Sequence, residues 1–436
     1  MDDALPVDAG AEKFRVPVGK LIAMTPAGIA VGALSALGLW GVSALAEVVQ
    51  KLVWDDLSGA LGVDAGSWWW ILTILTLVGL LSGLVIRYFP GHAGHDPATD
   101  GLVAAPLTPK AVPGLVIATI LTLAGGVSLG PENPIMAINA AIIVALGVRF
   151  LPKVGEQDWA GLSTAGTIGA LFGTPVAAAL MLSESIGGDQ RVPLWNRLYV
   201  PLVAATTGSF VILHFTNLDL SIGLPPEQIG GVVHVLIATG IAVVVAAIGV
   251  VGAYVFDPLH RVLNTTMRSP VLRLTVAGLV LGALGAVGGS ITLFKGLDEM
   301  KALPGEMATT SAAGFFFIAA IKLCAMLFAS AAGFRGGRIF PIAFVAVALG
   351  FGIHALWTSL PLALCVTAAA VGMTVAATRN GWISLFLGLA IVPDLALITP
   401  LLFATLAAWL VVANAPELAA KPVPESTPDE PETRRA

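Results

Sequence analysis

Long apolar runs follow one another from end to end of the chain, separated by short breaks rich in glycine and proline. They lie near 21–49, 67–89, 112–128, 135–150, 161–184, 198–215, 231–256, 271–291, 311–332, 339–357, 361–377 and 383–412. A helix standing upright in a bilayer needs roughly 20 apolar residues at about 1.5 Å of rise each. Runs such as 112–128 and 135–150 are shorter than this and span only part of the hydrocarbon core unless they tilt. The pattern predicts an all-α, polytopic membrane protein whose helices include several broken or partial ones. Backbone groups freed at such breaks cannot face lipid, so they line a cavity or are buried in protein.

Composition sharpens this reading. Of 436 residues, 57% are hydrophobic and only 11% charged, against about a quarter charged in soluble domains. So few charges cannot cover the surface of a soluble chain of this size, which argues against a soluble enzyme, a nucleic-acid binder and a disordered protein. The 22 basic and 27 acidic residues give a net charge of −5, with no basic stripe to grip a phosphate backbone. Cys324 and Cys365 both sit in apolar runs and are expected to be buried, unpaired thiols. The stretch Met1–Val18 is mixed in charge and lacks an apolar core, so no cleavable signal peptide is expected.

A weak internal repeat organises the chain. Gly125-Gly126-Val127-Ser128-Leu129-Gly130-Pro131-Glu132-Asn133-Pro134 closes one apolar segment and opens the next. About 206 residues later Ala332-Gly333-Phe334-Arg335-Gly336-Gly337-Arg338-Ile339-Phe340-Pro341 does the same. The expected division is an N-terminal segment 1–19, a first membrane repeat 20–222, a linker 223–230, a second repeat 231–413, and a solvated, disordered tail 414–436 rich in Pro, Glu and Thr. Corresponding broken helices in two repeats point to a transporter or channel with its site at the repeat interface.

Three stretches carry the candidate chemistry. Glu132, a carboxylate flanked by prolines between two apolar runs, is costly inside a bilayer and a functional candidate for that reason. At a helix start it meets unpaired N–H groups and a positive dipole end, where it can occupy the place of an anion. The alternative is an ordinary N-terminal helix carboxylate at the membrane surface. In Gly91-His92-Ala93-Gly94-His95-Asp96-Pro97, the glycines free backbone amides to converge on an anion and Asp96-Pro97 is expected to start a half-helix. His92, His95 and Asp96 otherwise suggest a metal site. Gly336-Gly337-Arg338-Ile339-Phe340-Pro341 opens another helix, with Arg335 and Arg338 adding positive charge or simply following the positive-inside rule. Lys322, inside an apolar helix, either raises the local potential or pairs structurally.

Taken together, these stretches resemble the CLC family of voltage-gated chloride channels and chloride/proton antiporters, in particular a short bacterial branch described only as ion-transport proteins. Ala93-Gly94-His95-Asp96-Pro97, Gly130-Pro131-Glu132-Asn133-Pro134 and Gly337-Arg338-Ile339-Phe340-Pro341 look like its three anion-site motifs, and Phe172-Gly173-Thr174-Pro175 like its N-A-P turn. The resemblance, over about residues 20 to 412, implies a CLC-like inverted repeat and a homodimer with one pore per subunit. It implies Glu132 as the gating glutamate, with anion contacts from the backbone at Gly94, His95, Asp96, Gly130, Pro131, Asn133, Arg338, Ile339 and Phe340. Gly94 stands where the family has a serine, and the three tyrosines, Tyr88, Tyr199 and Tyr254, lie far from the C-terminus. The central site is therefore expected to be wider or to rely more on amides. The family's proton-relaying glutamate would fall on Ser185, with Glu184 one residue earlier and a possible relay.

The expected function is passage of chloride or a similar small anion, with or without protons, through a multi-pass protein of a bacterial plasma membrane that needs no cofactor and is not an enzyme. Export of fluoride or another anion in exchange for protons is the alternative within transport. An intramembrane metal-dependent hydrolase built on His92, His95 and Asp96 is the alternative of another class, and a non-catalytic membrane scaffold the third.

Overall fold

In a computed structural model the chain is described over residues 16–99, 107–185, 192–216, 219–225 and 227–421. Apart from one isolated bridge, these residues form helices and their connections. The first half contains α1 (Val18–Lys51), the short α2 (Ser58–Ala60), α3 (Trp68–Tyr88), α4 (Val112–Ala124), α5 (Glu132–Phe150), α6 (Glu156–Phe172), α7 (Pro175–Ser185) and α8 (Leu194–Phe215). The second contains α9 (Gly231–Thr266), α10 (Pro270–Gly288), the short α11 (Leu297–Ala302), α12 (Ala312–Ala332), α13 (Ile339–Leu356), α14 (Leu362–Thr378), α15 (Gly381–Ile391) and α16 (Ile398–Val412). Among the described residues, nine helices are long and apolar enough to cross a membrane.

The two halves repeat the same order of packing. In the first, α1 packs on α8 and α6, and α5 on α6; in the second, α9 packs on α16 and α14, and α13 on α14. The halves meet most extensively where α3 lies on α10. Small residues make that approach possible: a side chain at Gly79 would strike the Leu274 carbonyl, and one at Gly278 the Leu75 carbonyl. Hydrogen bonds add to packing where lipid offers no alternative partner. The Asn139 amide donates to the Ser35 carbonyl at 3.0 Å and to Thr167 Oγ1 at 2.9 Å, tying α5 to α1 and α6.

Several boundaries differ from the sequence reading. The apolar run 161–184 is two helices, because Gly173 turns the chain at φ 65° and Pro175 opens α7. The run 383–412 likewise divides, into α15 and α16, around Val392-Pro393-Asp394, where Asp394 caps the turn that follows. Helix α9 continues past the expected end at 256 to Thr266, its polar last turns held by an Asp257–Arg261 pair one turn apart. No helix starts at Asp96-Pro97: residues 97–99 form a turn, and the next described helical residues are Pro109–Ala111. Cys365 is buried as expected, but Cys324 is exposed on an outward face of α12. A helix that is apolar all round gives no sign of which face looks outward.

The tail also departs from expectation. Its first residues are packed, with Leu418 and Ala420 buried, and only 422–436 lie outside the described residues, as do 1–15 of the N-terminal segment. Part of the linker is anchored too: the Glu227 carboxylate accepts from the N–H groups of Leu362 and Ala363 at 3.2 and 2.8 Å, a charge-compensated start for α14.

Candidate functional site

The two repeated motifs meet. Gly130 N–H donates to the Gly337 carbonyl at 2.8 Å and Gly337 N–H to the Gly130 carbonyl at 2.6 Å, a reciprocal pair outside any sheet. Each motif turns through a left-handed glycine, Gly126 at φ 88° and Gly333 at φ 92°, before its helix begins. Helices α5 and α13 therefore start side by side, with the free N–H groups of their first turns close together.

Glu132 opens α5 and is fully buried. Its Oε1 accepts the Phe340 N–H, in the first turn of α13, at 2.7 Å. Among the described residues its Oε2 finds no hydrogen-bond partner. The carboxylate lies so close to Gly130 and Gly337 that a Cβ at either position would overlap it. These glycines are thus needed for space: they form a slot that accepts the carboxylate against the start of the opposite helix.

Two cavities border this slot. Pro131 and Phe340 line one of about 370 Å³, shared with Glu47, Asp219, Lys295 and Lys301. Asn133, Arg338 and Ile339 line another of about 50 Å³. The neighbours of Glu132 on either side thus face different cavities. The Arg338 guanidinium stacks over the Phe256 ring at 5.4 Å.

The loop carrying Gly94, His95 and Asp96 reaches the same region. His95 and Pro97 lie against Asn133 and Pro134 of the first turn of α5, around a crevice of only about 10 Å³. Gly91, His92, Ala93 and Gly94 all have positive φ, a costly run for the two non-glycine residues. Arg335 holds it: its guanidinium donates to the carbonyls of His92, Ala93 and Gly94 at 3.0, 2.9 and 2.9 Å. Asp96 accepts from His260 Nε2 at 3.0 Å and from the Ala98 N–H at 3.0 Å. Burial works to raise the Asp96 carboxyl, but the His260 hydrogen bond, the Arg335 charge and the Ala98 N–H together hold it below its ordinary value.

Lys322 is fully buried, its Nζ donating to the carbonyls of Thr292, Leu293 and Phe294 at 3.1, 2.5 and 2.7 Å. That loop abuts the first motif, since Phe294 N–H reaches the Gly126 carbonyl and Ser128 Oγ the Thr292 carbonyl. Lys322 thereby braces the wall leading to Lys295. Glu184 lies in the last turn of α7, with its side chain outside the described residues. The ring of His92 meets the Ile86 carbonyl, and among the described residues no group of three or more His, Cys, Asp or Glu side chains is placed to hold a metal.

The family model described as "Voltage gated chloride channel" matches residues 78–413. The chain belongs to that family. One relative, the "Putative ion-transport protein YfeO" of Shigella boydii serotype 4 (strain Sb227), is 47% identical over 395 residues, spanning 89% of this chain and 92% of the relative. The protein of the same description from Escherichia coli (strain SE11) is 46% identical over equal shares. A CLC-type fluoride/proton antiporter shares the fold with a TM-score of 0.74 at 17% identity, covering 93% of this chain and 100% of that one. A slow cyanobacterial Cl-/H+ antiporter does so at 0.71 and 16%, covering 92% and 95%. The CLC architecture is thus the architecture of this chain, an inverted repeat in a multi-pass membrane protein.

Within this CLC chain, the structure adds residues that the motifs did not single out. Lys295 and Lys301 belong to a charged cluster between two apolar runs and contribute cations to the larger cavity. Charge flanking a membrane segment is too common to mark them in advance. Arg379 follows α14 in a left-handed conformation at φ 52° and holds the start of the C-terminal tail. Only a lone arginine after an apolar run pointed to it.

Proposed function

We propose that this protein passes a small inorganic anion, chloride first among them, through a path on which Glu132 is the gate. The observation that carries the reading is the buried Glu132 carboxylate, seated in a glycine slot and hydrogen-bonded to the first-turn amide of Phe340. A helix start stabilises negative charge whether it belongs to a side chain or to a free ion. The carboxylate and an anion therefore compete for one place, and movement or protonation of Glu132 vacates it. Backbone from Gly94 to Asp96, Gly130 to Asn133 and Arg338 to Phe340 is assigned to the path's walls, with Arg335 and Lys322 bracing them. The two antiporters of like fold, named for chloride and for fluoride, support coupling to protons, with Glu184 as the relay. A homodimer in the bacterial plasma membrane completes the reading.

The test is anion efflux from proteoliposomes, wild type against Glu132→Ala, with external pH followed throughout. Flux with stoichiometric proton movement identifies an antiporter, and flux without it a channel. The relative rates of chloride, nitrate and fluoride decide between a chloride and a fluoride protein. Failure of both proteins to move any of the three sinks the reading. Replacing His92 and His95 together leaves flux intact under this proposal, whereas a metal-dependent hydrolase would lose its activity.

A further inference from the structure

The smaller cavity is closed on one side by chain with no regular secondary structure. Residues 415–421 leave α16 and run back across it, with Glu417, Leu418 and Ala419 forming its wall opposite Asn133, Arg338 and Ile339. The Arg379 guanidinium donates to the carbonyls of Val412, Ala415 and Pro416, the last two at 2.6 and 2.8 Å. Further along, Ala420 N–H donates to the Ala98 carbonyl at 2.8 Å, and Lys421 N–H to Asp257 Oδ1 at 2.9 Å. Leu418 and Ala420 are buried between these fastenings, whereas Glu417 is exposed at the cavity's mouth.

We propose that residues 415–421 form a strap that closes the anion path beyond the gate, and that Glu417 governs passage there by repelling anions at the mouth. The proposal rests on the anion-path reading of Glu132. Space supplies the first argument. The covered cavity is about 50 Å³, and one water in the liquid occupies about 30 Å³, so an ion with its hydration shell passes only when the strap moves. Mobility supplies the second: the strap carries no helix, its hydrogen bonds lie at its two ends, from Arg379 at one and through Ala420 and Lys421 at the other, and between them only Leu418 and Ala420 are buried, so it opens without disturbing the helices. Charge supplies the third. A carboxylate at a narrow, partly apolar mouth opposes entry of anions, acting against the Arg379 and Arg338 cations that line the same cavity and attract them.

The experiment uses full-length protein in liposomes. Glu417→Gln, an uncharged change at an exposed position, is expected to raise chloride flux about threefold, and more at low salt, where screening is weakest. Ala420→Pro deletes the donor to the Ala98 carbonyl and is expected to raise flux up to about tenfold, the effect of one lost hydrogen bond on the closed strap. If both variants match wild type while Glu132→Ala alters flux, the strap proposal is overturned. A separate arm is independent of transport. With Cys324 and Cys365 replaced by alanine, Ile342→Cys places a thiol in the cavity wall, and its labelling by a water-soluble thiol reagent is timed. Labelling is expected to accelerate about tenfold with Ala420→Pro, by the same loss, and an unchanged rate overturns the strap even if no anion flux is found. Leu418→Ala replaces Ala420→Pro in both arms if the proline variant does not elute as a single species in detergent.

Discussion

Replacing Gly337 by alanine tests the seating of Glu132, the proposed gate, directly. The added methyl falls within overlap distance of the Glu132 carboxylate and 3.0 Å from the Glu132 Cβ. The carboxylate must leave the slot and forfeit the 2.7 Å bond from the Phe340 N–H. A hydrogen bond to a charged group is worth about 1.5–3 kcal/mol. At about 1.4 kcal/mol per factor of ten, occupancy of the seated position falls roughly 10- to 100-fold. Gly337→Ala is therefore expected to shift anion efflux from proteoliposomes in the same direction as Glu132→Ala. A double-mutant cycle makes the test strict. In a Glu132→Gly background, which lacks both the carboxylate and the Cβ, Gly337→Ala should add almost nothing. An effect of Gly337→Ala that persists undiminished in that background would show that the methyl acts on the backbone bridge, and would refute the slot.

Two further outcomes follow from groups around the same wall. Lys322→Met leaves the carbonyls of Thr292, Leu293 and Phe294 without their shared donor; at about 1–3 kcal/mol per unsatisfied buried group, detergent-solubilised protein should lose its monodisperse elution peak several degrees lower on heating. Burial pushes the Glu299 carboxyl up, and the Lys322 charge only partly counters it. The folded protein therefore holds that proton more tightly than the unfolded chain, so this contribution is present at acid pH and lost as pH rises through the raised value. Glu299→Gln should accordingly flatten the fall in thermal stability between acid and alkaline buffers, and an unaltered slope would count against it.

Much of the fold was legible because lipid imposes a simple rule on composition, and runs such as 231–256 and 311–332 obey it. The site was legible for a different reason. The motifs at 125–134 and 332–341 contain glycine and proline where the backbone must turn and where a carboxylate needs room, so the constraint is written into residue type. Splits within continuous apolar sequence were not seen, because Gly173 and Pro393 sit among residues that fit a helix equally well. Cys324 went astray because burial in protein and exposure to lipid demand the same chemistry. The tail misled in the opposite sense: five prolines and several acids from Pro416 onward suggest solvent, yet Leu418 and Ala420 are enough to draw the chain onto the protein. Arg335 was read as a source of potential, and it holds three carbonyls of a loop 241 to 243 residues away, a relation no local pattern encodes.

The reciprocal bonds between Gly130 and Gly337 have a mechanical meaning. They rivet the two halves of the protein together beside the Glu132 slot, where the proposed anion path runs. A transporter that rocks one half against the other would have to shear this rivet in every cycle, in surroundings that offer the freed groups no water. Under the reading proposed above the halves form a stator. The moving parts are then small ones mounted on it, a single carboxylate in its slot and a short length of chain across the exit.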